Sequence, residues 1–84
     1  MSDRTPVRFT IGGRKVELSK AQVERALKAE KPEPINTHAV LVGGVAFPVK
    51  QALRATTGFD ILDFHTMEAR RVFRRLGFEL MRKE

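Results

Sequence analysis

Four arginines fall within six residues, Arg70, Arg71, Arg74 and Arg75, with no acidic residue among them. On a helix they share one arc with Met67. Ala69, Val72, Phe73 and Leu76 take an arc about 100° wide roughly opposite. A guanidinium is a planar fork that donates two hydrogen bonds at once, which suits phosphate. A face serving only solubility would more often interleave Glu with Arg at i, i+4, and the nearest acids here are Glu68 and Glu79. The chemistry this segment suggests is recognition of a polyanion. Lys50 and Arg54, one turn apart on an earlier helix, extend the same surface. Gln51 between them has the donor–acceptor pair that reads adenine in a major groove. Asp63-Phe64-His65-Thr66 puts His65 and the Thr66 hydroxyl beside free N–H groups at a helix start, which accept phosphate. The plainer reading is Thr66 as a cap and His65 as a connector residue. The competing explanations of the arginines are a solvated helix face and an acidic protein partner.

Other chemistries find little support in the residues. The chain has no Cys, Trp or Tyr, so it offers neither a thiolate nucleophile nor a Cys-based zinc site. His38 and His65 with Asp60 and Asp63 match no common metal spacing. Neither Gly-Gly pair has P-loop spacing, and no Ser has an evident base partner. The expectation is no catalysis, no metal and no cofactor. Phe9, Phe47, Phe64, Phe73 and Phe78 fall where periodicity places the core or its edge. Exposed aromatics for stacking single-stranded bases are therefore scarce, and duplex DNA is the better polyanion.

The elements that must position these residues belong to a short chain. It has 84 residues, with 16 Lys and Arg against 10 Asp and Glu, a formal charge of +6. That length suits one small domain, 1–84. The 42% apolar content is enough for a folded core. The longest apolar run, Ala39 to Val42, is far too short for a bilayer, and MSDRTPVRF lacks the apolar stretch of a secretory signal. The expectation is a cytoplasmic protein without a membrane partner. Residues 69 to 83 hold six of the bases against Glu79 alone, so most of the excess charge sits on one helix and its exit.

Val7, Phe9 and Ile11 alternate with Arg8 and Thr10, and Val16 and Leu18 resume the alternation after Gly12-Gly13. This is a hairpin signal, because both turn positions need positive φ. Ser19 and Gln22 form a capping box for a helix over about Lys20 to Glu30, with Val23, Ala26 and Leu27 as its stripe. Pro32 and Pro34 then define an extended connector, 31–36. The pattern recurs 31 residues on. Ala39-Val40-Leu41-Val42, Gly43-Gly44 and Val45-Ala46-Phe47 form a second hairpin. Pro48 opens a second helix that buries Val49, Ala52 and Leu53 and turns Lys50, Gln51 and Arg54 outward. Phe59 to His65 is an apolar connector with room for one helical turn. Thr66 caps a third helix, Met67 to Leu76, which Gly77 ends. Phe78-Glu79-Leu80 is a short closing strand, and 1–6 and 81–84 are frayed. The predicted fold is α+β, with two hairpins and three main helices. The alternative is a mainly helical, four-helix arrangement.

The second half carries a string in order: Val42-Gly43-Gly44, Phe47-Pro48-Val49-Lys50-Gln51-Ala52-Leu53, Phe64-His65-Thr66, and Ala69-Arg70-Arg71-Val72-Phe73-Arg74-Arg75-Leu76-Gly77-Phe78-Glu79-Leu80. It resembles small modules found alone in actinobacterial proteins and beside nuclease domains in modification-dependent restriction enzymes. The resemblance covers His38 to Leu80 and implies binding of double-stranded DNA, with preference for a modified base or backbone such as methylated DNA. It points to Phe47, Pro48, Lys50, Gln51, His65, Thr66, Arg70, Arg71 and Arg74. It implies no cleavage, since no nuclease motif is present. A nucleoid-associated role in transcription regulation follows as an expectation, and a homodimer would double the DNA contacts. The reading from a different class is a protein-interaction or regulatory adaptor that docks on an acidic partner.

Overall fold

The computed structural model describes residues 5–35 and 37–83. Two Gly-Gly turns organise residues 7–48. β1 (Val7–Ile11) pairs antiparallel with β2 (Arg14–Leu18), and β3 (His38–Val42) with β4 (Val45–Pro48). Gly12 and Gly13 have φ of 57° and 81°, and Gly43 and Gly44 have 59° and 80°. These are the left-handed values of a two-residue hairpin turn whose twist matches that of the strands. A helix follows each hairpin, α1 (Lys20–Leu27) and α2 (Val49–Thr57). The repeat read from the sequence is thus present as two hairpin–helix units.

The Ser19 capping box is formed: Gln22 N–H donates to Ser19 Oγ at 3.2 Å and Ser19 N–H to Gln22 Oε1 at 2.8 Å. α1 ends at Leu27, short of the expected Glu30. Lys28 N–H bonds Arg25 O and Glu30 N–H bonds Leu27 O, so the last turn tightens to i→i+3 spacing before the prolines of the connector. Pro48 is the N-cap of α2 rather than its first residue. A 3-10 turn (Ile61–Asp63) precedes α3 (Thr66–Leu76). Phe64 is buried there, but Ile61 and Leu62 face outward, Leu62 at 87% exposure. The apolar connector therefore anchors through Phe64, with Phe59 partly buried against the core.

β5 (Glu79–Arg82) closes the chain against β3 and is longer than expected. The two sheets are β1-β2 and β4-β3-β5, all antiparallel. Met81 and Arg82 belong to this strand, and Lys83 N–H donates to Thr37 O at 2.6 Å. The expectation of fraying from residue 81 fails because β3 supplies a partner edge. Met1 to Arg4 and Glu84, also expected to fray, lie outside the described residues, as does Asn36 at the end of the connector. The fold is α+β, and the four-helix alternative does not hold.

A single cluster of buried side chains runs from Phe9 and Ile11 through Val23, Val40, Phe47 and Leu53 to Phe73. α3 packs against β1, β3, β5 and α2. Its stripe of Ala69, Val72, Phe73 and Leu76 is buried as the periodicity predicts. Phe73 meets Phe78 edge-on, with ring centroids 6.0 Å apart.

The tightest approach is at Gly12. A Cβ there would lie 2.0 Å from the Asp63 carbonyl oxygen, whereas nothing lies within 4 Å of one at Gly13. Gly13→Ala is expected to cost only the left-handed strain, about 1 kcal/mol. Gly12→Ala adds a collision with backbone and should cost about 3 kcal/mol or more. Urea unfolding of the two variants measures the difference, and equal losses would refute the close packing at Gly12.

Candidate nucleic-acid interface

α3 starts one residue earlier than the sequence suggests. His65 is its N-cap and Thr66 its first residue, and Glu68 supplies the capping carboxylate. Glu68 Oε1 accepts from His65 N–H at 3.0 Å, and Oε2 accepts from Gly12 N–H at 3.1 Å. One side chain thus ties the first hairpin turn to the helix start. These bonds, Gly12 first and His65 second, hold the Glu68 carboxyl below its ordinary pKa. The Thr66 cap expected from sequence is replaced because an acid three residues after the N-cap reaches back to the free N–H there.

The four arginines divide by position around the helix. Arg71 and Arg74 are exposed, on the side away from the core. Arg75 leans onto the first hairpin, where its Nη1 donates to Arg8 O at 3.4 Å and its guanidinium lies 5.1 Å from the Phe9 ring centroid. Arg70 lies on the opposite flank, with Nη1 3.6 Å from Met67 Sδ. None of the four forms an ion pair among the described residues; the three pairs found there are Arg8–Glu17, Arg14–Asp63 and Arg54–Glu33.

Lys50 joins this surface. With Thr66 and Met67 it lines a shallow groove that also contains His38 and Thr37. The second helix therefore does bring its lysine to the start of the third. His38 and Arg82 are additions that the sequence reading missed. Desolvation, then the charges of Arg70 and Arg82, push the His38 pKa down. Its Nδ1 is enclosed without a partner among the described residues. The register of β3 with β5, which sets His38 opposite Arg82, brings these groups together. The available signal was the alternation of Leu80 and Arg82 beyond Gly77. On the other flank, Arg8 and Lys15 of the first hairpin share a groove with Arg71 and Arg75, together with the acids Glu17 and Glu68. Their polar positions in the strand alternation were the corresponding sign.

One expected contributor is withdrawn and a second is engaged within the fold. Gln51 is 3% exposed and points inward. Its Nε2 donates to Lys31 O at 2.7 Å and to Glu30 Oε1 at 3.3 Å, and its Oε1 accepts from Glu33 N–H at 2.8 Å. Both ends of the amide are thus engaged by the connector, and the side chain cannot also reach a base edge. Arg54 donates to Glu33 Oε2 at 2.9 Å, which raises its pKa. The connector, a spacer in the sequence, covers Gln51 and occupies its amide, and it pairs with Arg54, whose side chain stays part-exposed. No three His, Asp or Glu side chains gather as metal ligands among the described residues.

Fold and site together define a small α+β domain with a helix that is apolar inside and cationic outside. The chain belongs to the SCO5918-like family, whose model matches residues 7–84. No similar curated protein and no similar solved structure was found. No helix among the described residues is long and apolar enough to cross a membrane.

Gln51→Ala leaves the Glu33 N–H and Lys31 C=O without partners and should cost about 1–3 kcal/mol in denaturant unfolding. It should leave polyanion affinity unchanged, and a selective loss of affinity at intact stability would restore Gln51 to the interface. Glu68→Gln should lower stability near pH 7. Because the folded pKa is depressed, the carboxylate's contribution is complete above its ordinary value of 4.5 and is lost as pH falls through the lower folded value. Thermal unfolding across pH should therefore show wild type and Glu68→Gln converging in acid.

Proposed function

We propose that this protein binds double-stranded DNA through the outer face of α3, with Arg71 and Arg74 at its centre and Arg70 and Lys50 beside them. The observation that carries the reading is the arginine arc itself, where four guanidinium groups on one helix form no ion pair among the described residues, Glu68 being the acid whose charge Arg71 feels. The mutual repulsion of such a face is relieved by a polyanion, whose phosphates also match the guanidinium fork.

These contacts orient the protein on the duplex without reading sequence. Arg75, held over Phe9, contributes charge from a fixed position. His65 and Thr66 sit at the helix start, which the Glu68 carboxylate already caps, so their part is a side-chain contact, Thr66 from the groove it shares with Lys50. With Gln51 withdrawn, His65 is the remaining expected group for a base edge. The resemblance to recognition modules of modification-dependent restriction enzymes adds a preference for methylated DNA to the proposal. Binding without chemistry of its own suits a nucleoid-associated role in transcription regulation.

A fluorescence titration of a labelled duplex at several salt concentrations tests this reading. Four neutralised phosphates give a log–log slope near −3.6, estimated at roughly −0.9 per contact. Arg71→Ala with Arg74→Ala should cut the slope to about −1.8. A matched methylated duplex that binds no more tightly removes the modification preference alone. A flat salt response, or no change in the double variant, rejects DNA binding at this face. Nuclease-resistant capture of an acidic protein instead would favour the adaptor reading.

A further inference from the structure

The three-stranded sheet has two outer edges, and they differ. In an antiparallel ladder, pairs that exchange hydrogen bonds alternate with pairs that do not. Val42 and Val45 flank the second two-residue turn and are a bonded pair, so Val40–Phe47 is bonded and Ala46 and Pro48 turn their main-chain groups outward. Proline has no N–H, which blunts the β4 edge.

On the other side, Lys83 N–H bonds Thr37 O and continues the register in which Met81 faces Ala39 and Glu79 faces Leu41. Those inward pairs are the bonded ones. Leu80 and Arg82 therefore direct a free N–H and a free C=O each to the outer edge of β5. The elements that pack substantially on β5 are β3 and α3. Glu79, Met81, Arg82 and Lys83 are exposed, and neither Glu79 nor Lys83 takes part in an ion pair among the described residues.

We propose that β5 pairs antiparallel with β5 of a second copy of this chain, about a two-fold axis through Met81 and normal to the sheet. Such an axis keeps like faces together, so facing residues must share parity and their numbers must sum to an even value. With Met81 opposite Met81 of the second copy, Leu80 and Arg82 face each other across the axis and exchange the free hydrogen bonds on both sides. Glu79 then stands directly opposite Lys83 of the second copy, twice, on one face of the sheet. Neighbouring registers lose this match. Centring on Leu80 sets Glu79 against Met81, and centring on Arg82 sets Arg82 against Arg82. Hydrogen-bonding parity admits all three centres, charge selects the one at Met81, and the second copy is the occupant that satisfies both.

The product is a continuous six-stranded sheet built from two three-stranded ones. Both copies of α3 lie on the same side of it, with their arginine arcs open in the same direction. This pairing does not depend on the DNA reading and is measured without DNA.

A five-residue edge buries little area, so the association is weak and concentration-dependent. Sedimentation velocity on the whole protein up to about 1 mM, the range of the weakest specific contacts, should show monomer passing to dimer. Arg82→Pro removes only an outward N–H, keeps the β3 ladder intact and should abolish the dimer. Glu79→Lys places lysine opposite lysine and should weaken it roughly tenfold. Glu79→Lys combined with Lys83→Glu should restore it. Monomer alone at the highest concentration overturns the proposal. So does a dimer indifferent to Arg82→Pro, or one that the charge exchange fails to rescue.

Discussion

The burial of one side of α3 is the contact that joins the two hairpins, the closing strand and α2. The stripe of Ala69, Val72, Phe73 and Leu76 touches the first hairpin, the three-stranded sheet and α2 at the same time. Phe73 is fully buried. Truncating it would forfeit about 3–5 kcal/mol, a large share of what so small a domain can hold. Because the inner side is fully committed, the rotation of the helix about its axis is fixed. The direction of the arginines is thereby fixed too. The cationic face results from core packing as much as from surface composition.

A second constraint joins parts distant in sequence. The carboxylate of Glu68 holds the amides of Gly12 and His65, while Gln51 holds the connector by both ends of its amide. Each is a polar side chain whose hydrogen bonds would be lost if its partner segment moved. Together they set hairpin, connector and helices in one arrangement around a core of modest size. The ion pairs beside them are exposed and contribute little by comparison.

The local pattern made much of this arrangement legible. Gly12-Gly13 and Gly43-Gly44 between alternating strands specified both turns, Ser19 with Gln22 specified the start of α1, and the segregation of Val72 and Phe73 from Arg71 and Arg74 specified both sides of α3. The misreadings share one cause, a partner far along the chain. A helical wheel turns Gln51 outward. The residues that cover it lie about twenty positions earlier, in a proline-bounded segment with no periodicity of its own. Arg54 meets Glu33 of the same segment, a pairing no local pattern shows. Arg82 looks like a terminal charge until β3, more than forty residues earlier, gives it a strand to join. His65 rather than Thr66 caps α3 because Glu68 at the third position decides the matter, and its second bond, to Gly12, lies beyond any local window.

The contact between Gly12 and the Asp63 carbonyl also bears on how this sequence can vary. Position 13 stands in open space with a left-handed backbone, a conformation that asparagine and aspartate adopt at small cost. Drift between glycine and those residues is open to it. Position 12 has the same handedness, but no room for any side chain. Among family members that keep the first turn against the entry to α3, glycine should be invariant at 12 and exchangeable at 13. A lineage that loses it should also show changes around Asp63 and Glu68, because the hairpin would have to lift away from the helix that carries the arginines.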